Sequence, residues 1–133
     1  MKRLILPLLA AFALPTAVNA EVIYLACSGK ALKPKIPISY FTATVNENAG
    51  TAIVDGGLAQ LLGSKVPSRG IVVSTPSEFV VSTSSGRDFE EVITINRYNG
   101  RYLMRRQSKK YASIGDDYSK GTCTKETPTN RAF

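Results

Sequence analysis

Glu91–Arg106 reads Glu-Val-Ile-Thr-Ile-Asn-Arg-Tyr-Asn-Gly-Arg-Tyr-Leu-Met-Arg-Arg, two alternating apolar runs on either side of an Asn-Gly pair. That pattern is the strongest short-range signal for a β-hairpin, because Asn99 and Gly100 tolerate the positive φ that a type I′ turn needs at both central positions. A two-residue turn pairs Tyr98 with Arg101, Arg97 with Tyr102 and Ile95 with Met104. It also gathers Ile93, Ile95, Tyr102 and Met104 on one face, as a core face requires. A three-residue loop with Gly100 in a bulge is the alternative, and it shifts the pairing by one residue. The apolar grouping favours the two-residue turn.

The same alternation recurs on both sides of the hairpin. Ile38–Asn46 places Phe41, Ala43 and Val45 on one side, with Ile38, Tyr40, Thr42 and Thr44 on the other. Asn46–Gly50 turns the chain into Thr51–Val54, which Asp55-Gly56-Gly57 ends. Leu58–Leu62 is too short to decide between a helical turn and a strand. Ile71–Thr75 is β-branched, Pro76 presets the next tight turn, and Phe79, Val81 and Thr83 share a face of the strand that follows. Asp88–Arg97 puts Phe89, Ile93 and Ile95 on one side. Glu21–Cys27 and Lys120–Lys125 read as the first and last strands. Ser28–Pro37 has the Gly, Pro and Lys content of a loop, and Gln107–Ser119 reads as a long polar excursion. About eight short strands with regular turn signals and no convincing helix predict an all-β fold, a single antiparallel up-and-down barrel or sandwich.

The ends of the 133-residue chain have their own grammar. Lys2 and Arg3 precede the apolar run Leu4–Leu14, Pro15 breaks it, and Val18-Asn19-Ala20 offers small residues for cleavage before Glu21. This divides the chain into a signal peptide at 1–20, a β-domain at 21–126 and a tail at 127–133. The apolar run is about half a membrane span, so the expected product is exported, periplasmic or extracellular, with no transmembrane segment after cleavage. Cleavage leaves 113 residues carrying 15 basic and 10 acidic side chains, a net charge of +5. Cys27 and Cys123 are the two cysteines, and an even count in an exported chain reads as one disulfide. Closing so long a loop contributes on the order of 4 kcal/mol in the chain-entropy account. The bridge also requires the first and last strands to be neighbours or to face each other across a core. The alternative is lipidation at Cys27, since Leu25-Ala26-Cys27 resembles the end of a lipobox, but Tyr24, Asn19 and Glu21 interrupt that pattern.

Chemistry is bounded mainly by what the sequence lacks. It contains no histidine, which excludes Ser-His-Asp and Cys-His sites. Oxidised cysteines leave no thiolate nucleophile or ligand. Neither a Ser-x-x-Lys motif nor a phosphate-binding Gly-rich loop is present. Glu90 and Glu91, adjacent on a strand, point to opposite faces. Asp88 and Glu90 have the parity to share a pocket, the one route to a carboxylate hydrolase. Asp116-Asp117 lacks the spacing of a calcium loop and reads as a loop tip. The inventory predicts no enzyme, no metal and no cofactor. The positive signal is basic: Arg97, Arg101, Arg105, Arg106, Lys109 and Lys110, flanked by Tyr98 and Tyr111, with no acid among them. Arg101, Arg105 and Lys109 share one strand face at steps of about 13 Å. This is either a patch for an anionic envelope partner or a solvated face whose charges deter edge-to-edge pairing. No nucleic acid is expected.

Cys27-Ser28-Gly29, Ile-Asn-Arg-x-x-Gly at Ile95–Gly100, Gly121-Thr122-Cys123 and the basic, aromatic-ended Arg131–Phe133 together resemble a loose group of small exported bacterial β-proteins. The resemblance implies the fold and export, and it brings no activity with it. Tyr-x-x-Cys-x-Gly at Tyr24–Gly29 and the Ser82–Arg87 run are similar to barrel-type lysozyme inhibitors, although a basic lysozyme would be repelled by a domain at +5 unless an acidic loop docked. The expected function is a non-enzymatic exported β-domain with a binding or structural role in the cell envelope, its partner an anionic envelope component or a secreted protein. The alternatives are inhibition of a secreted hydrolase such as lysozyme and lipocalin-like carriage of a small ligand, which requires an apolar cavity.

Overall fold

Period-two alternation sets the strands, and their partners extend them. The computed structural model describes residues 22–84, 89–108 and 117–126. Eight strands run in chain order: β1 (Val22–Ala31), β2 (Tyr40–Asn46), β3 (Thr51–Asp55), β4 (Ser68–Ser74), β5 (Glu78–Ser84), β6 (Phe89–Asn96), β7 (Arg101–Ser108) and β8 (Asp117–Glu126). A one-turn helix, α1 (Leu58–Leu61), lies between β3 and β4. Each strand pairs antiparallel with the next, and β8 pairs back onto β1, so the sheet is a closed up-and-down barrel and not a sandwich. The segment 1–20 expected to be a signal peptide, Asp88, Lys109, Lys110, Tyr111, Asp116 and the segment 127–133 lie outside the described residues.

Inward-facing residues fill the barrel. Phe41, Ala43 and Val45 from β2, Val81 from β5, Ile93 and Ile95 from β6 and Met104 from β7 are buried. Phe41 meets Tyr102 edge to face, with ring centroids 4.9 Å apart. An eight-stranded barrel is just wide enough for side chains to close its interior. They do so through its middle and at the α1 end, while a pocket of about 440 Å³ opens at the other mouth beside Ile23, Leu25, Phe79 and Ile95 under the β6–β7 turn. The outer face carries Thr42, Thr44, Thr94, Arg101 and Lys120, so the apolar layer is inside, the reverse of a barrel with a water-filled lumen.

Cys27 and Cys123 are register partners across the β1–β8 seam and form the disulfide. Cys27 is fully buried and its sulfur is committed to that bridge, which corrects the lipidation alternative. A disulfide is kept in oxidising, exported surroundings, so the bridge agrees with export.

The hairpin register differs from both expectations. Ile95 pairs with Tyr102 and Ile93 with Met104, a shift of two residues from the two-residue turn. The connection is a four-residue loop, Arg97–Gly100, in which Gly100 takes φ 74° and its N–H donates to the Asn96 carbonyl at 2.8 Å. Asn96 organises it, its Oδ1 accepting from the N–H groups of Tyr98 and Asn99. Asn46–Gly50 is built the same way: Asn46 Oδ1 accepts from Ala49 N–H, and Gly50, at φ 70°, bonds back to the Asn46 carbonyl.

Two segments expected to be loop are partly strand. β1 continues through Ser28–Ala31, because Lys120 and Gly121 of β8 supply ladder partners for Lys30 and Gly29. Gln107 and Ser108 extend β7, and Asp117–Ser119 open β8. Tertiary pairing overrides composition in both places.

Candidate functional site

Of the six cations predicted as one patch, Lys109 and Lys110 lie outside the described residues, and the four described ones point to different parts of the barrel. Arg97 sits in the β6–β7 turn, where its guanidinium faces Glu47 at 3.3 Å, donates to the Thr75 carbonyl and lies 4.4 Å from the Phe79 ring centroid. Arg101 and Arg105 do share the outer face of β7, as their parity requires. Arg105 Nε is 3.7 Å from Asp117 Oδ1, beyond hydrogen-bond reach. Arg106 has the opposite parity and turns to the barrel end that carries α1, its guanidinium 4.6 Å from the Phe89 ring centroid. On the outer face, Arg101 is joined by Lys30 and Lys120, which are direct register partners across the seam and line a shallow cleft with it.

The barrel end that carries α1 is built around a buried carboxylate. Glu91 shares its inward parity with Ile93 and Ile95 and is 1% exposed. Glu90 faces outward, as adjacent strand residues must. Glu91 Oε2 accepts from the Leu58 N–H at 2.7 Å and from the Tyr118 hydroxyl at 2.6 Å, and the Thr83 hydroxyl reaches Oε1 at 3.5 Å. The first bond caps α1 from a strand 33 residues away, supplying an acceptor that Gly57, the residue at the cap position, cannot. Gly57 is required there: a Cβ on it would lie 2.5 Å from Glu91 Oε1.

Tyr118 reaches Glu91 because the β7–β8 register slips. Met104 pairs with Ser119, but Arg105 pairs with Asp117, so Tyr118 is the extra residue of a β-bulge. Both Tyr118 and Ser119 are consequently buried, and the Ser119 hydroxyl contacts that of Tyr102 at 2.9 Å. Burial pushes the Glu91 carboxyl above its usual range, against the lowering effect of Tyr118, Leu58 and Thr83. Burial first, then the charge and hydrogen bond of Glu91, pushes the Tyr118 phenol far upward, so it stays a donor. A buried carboxyl with a raised pKa is a frequent mark of catalysis. Here Glu91 is closed to solvent and bonded to three elements of its own fold, which makes it the anchor of the lid.

Above that anchor lies a cleft of about 820 Å³ between the β1–β2 connection and α1. Its wall is apolar, formed by Pro34, Ile36, Leu61 and Leu62 over the buried Leu58, and its cations are Lys33, Lys35 and Arg106. The ion pairs among the described residues are Arg97–Glu47 and Arg105–Asp117, so none of these three cations has a carboxylate partner there. Among the described residues no group of three potential ligands is placed to hold a metal ion. No described helix is long and apolar enough to cross a membrane.

Sequence reasoning passed over Glu91 as an anchor, Tyr118, and Lys33 and Lys35. A signal existed for Glu91, a charge on the apolar parity of its strand. None existed for Tyr118, whose placement depends on the bulge. The class this chain defines is a small eight-stranded up-and-down barrel with an apolar side-chain core, a disulfide at its closing seam and a carboxylate-anchored lid. Compared with known proteins, it matches no family model, no curated protein and no solved structure.

Proposed function

We propose that this chain is an exported, non-enzymatic β-domain that binds an anionic component of the cell envelope. One observation carries the reading: Lys33, Lys35 and Arg106 at the lid, and Lys30, Arg101 and Lys120 on the seam, form two cationic clusters without a carboxylate partner among the described residues. Net charge supports it, since +5 after removal of 1–20 raises the local concentration of anions. The signal-like 1–20 and the disulfide support delivery to the periplasm or beyond. The buried Phe41, Leu58, Glu91 and Tyr118 close the barrel at the α1 end, and the space left at the opposite mouth, about 440 Å³ beside Ile23, Leu25, Phe79 and Ile95, is at the small end of the range for a lipocalin-like carrier. The anchoring of Glu91 argues against its use as a general acid.

The test is affinity capture from envelope extract with the processed domain immobilised, at about 0.02 M and about 0.5 M salt, where screening lengths differ several-fold. An anionic component retained at low salt and released at high salt is the expected result. Capture of a single hydrolase insensitive to salt favours the inhibitor reading instead. No retention at either salt concentration leaves only a structural role and overturns the proposal.

A further inference from the structure

The lid cleft combines three features that together specify a ligand. Its volume of about 820 Å³ falls within the range of small-molecule sites, roughly 300–1,000 Å³. Its wall exposes aliphatic surface to water, Leu61 at 42% and Leu62 at 68%, which a lid needed only to plug the barrel would turn inward as Leu58 does. Its rim holds Lys33, Lys35 and Arg106 without a carboxylate partner among the described residues. Glu91, the register partner of Arg106 across β6 and β7, makes no ion pair with it and directs its carboxyl at Leu58, Tyr118 and Thr83 beneath the lid. The Glu91 bond to Leu58 N–H and the Gln60 Oε1 bond to Gly56 N–H, at 2.6 Å, hold α1 in place before any ligand arrives. A preformed wall lowers the ordering penalty of binding.

From these we infer that the cleft binds an amphipathic carboxylate, a single apolar chain ending in a carboxylate, with the chain along Ile36, Leu61 and Leu62 and the head group on Arg106 and the two lysines. A guanidinium grips a carboxylate through two parallel N–H donors, and the lysines add point charge. The buried Leu58, Glu91, Tyr118 and Phe41 close the barrel beneath the lid, so the chain lies across the lid and does not enter the interior there. The occupant is a free monomeric carboxylate and not a bilayer, because the apolar surface lies inside a concave cleft of about 820 Å³ between the β1–β2 connection and α1, a space that takes a single chain. This deepens the anion-binding proposal and rests on it for the choice of charge.

Dodecanoate, kept below its micelle-forming concentration, is the probe, titrated into the processed domain at low salt while backbone amide resonances are followed. The expected result is saturable movement of the amides of Lys33–Ile36 and Leu58–Leu62. Dodecanol and acetate, each carrying half of the chemistry, should bind at least about tenfold more weakly. Arg106→Gln should weaken dodecanoate by about tenfold, and Lys33→Gln with Lys35→Gln by a similar factor, the second pair being on an exposed loop whose substitution leaves the fold intact. Leu62→Asn should weaken dodecanoate and dodecanol alike.

Equal binding of dodecanol, or dodecanoate binding unchanged in both charge variants, overturns the inference. So does binding only to anionic phospholipid vesicles. Movement confined to Lys30, Arg101 and Lys120 overturns the cleft assignment and leaves the envelope-anion reading standing. Binding of dodecanoate in the cleft with no salt-sensitive capture from envelope does the reverse.

Discussion

Glu91 ties together a strand, a bulged strand and a one-turn helix through a single carboxyl group, and its protonation therefore reports on all three. Burial raises its folded pKa above the ordinary 4.5, so the folded chain holds the proton more tightly than the unfolded chain does. The corresponding stability is fully present below about pH 4.5, declines as pH rises through the folded pKa, and is gone above it. Urea midpoints of the parent protein should fall across that window relative to those of Glu91→Gln, which keeps an acceptor oxygen and has no proton to lose. A pH-independent difference would remove Glu91 from the linkage. Glu91→Ala should cost about 2–4 kcal/mol at low pH, where the Tyr118 hydroxyl and the Leu58 N–H lose their partner, and less as pH rises through the folded pKa of Glu91. The burial of Glu91 is legible in the sequence, since Phe89, Ile93 and Ile95 share its parity. Its role is not legible, because its partners come from 33 residues before and 27 residues after it.

At the scale of the elements, the two Asn-x-x-x-Gly turns form a natural comparison. Gly50 and Gly100 both take positive φ, which costs a residue with a Cβ about 1–2 kcal/mol. They differ in surroundings. A Cβ at Gly50 has its nearest neighbour 3.9 Å away, whereas at Gly100 it would lie 2.4 Å from the carbonyl oxygen of Cys123. Gly50→Ala should therefore lose only the conformational amount, and Gly100→Ala should lose about 1–3 kcal/mol more through the displaced β8 backbone. Equal losses by denaturant titration would mean that the β8 contact does not constrain the turn. The same hairpin shows what alternation can specify. A slip of two residues leaves every side chain on its original face, so the grouping of Ile93, Ile95, Tyr102 and Met104 was correct while the pairing was not. Asn99-Gly100 drew attention to the turn, but Asn96, three residues before Asn99, organises it.

For the whole molecule, closure rests on one pair of strands from opposite ends of the chain. The seam is joined by ladder pairing and by a disulfide whose cysteines are 96 residues apart. Cys27→Ala with Cys123→Ala should destabilise the domain by on the order of 4 kcal/mol, and amide exchange should rise first in β1 and β8. Uniform exchange across the barrel would mean that the seam has no local weakness. The cysteine count made the pairing legible. Barrel against sandwich was not, since either places the first and last strands within reach of each other. The four described cations of the basic cluster separate for a related reason: neighbours in sequence along the β6–β7 turn and β7 are dispersed to one barrel end, the outer wall and the other barrel end. The cations beside Arg101 and Arg106 come instead from β1, β8 and the β1–β2 connection.

Tyr24 and Glu126 stand opposite each other on adjacent strands, so a short bridge from Glu126 to Val22 would let the chain be cut elsewhere, between β4 and β5 at Pro76, without rearranging the sheet. In such a rewired chain the sulfur link would span only roughly a dozen residues, and its entropic leverage should drop by about 1.5–2 kcal/mol. Comparing the reduced and oxidised forms of both connectivities would separate what the bond does by shortening the free chain from what it does by clasping two strands.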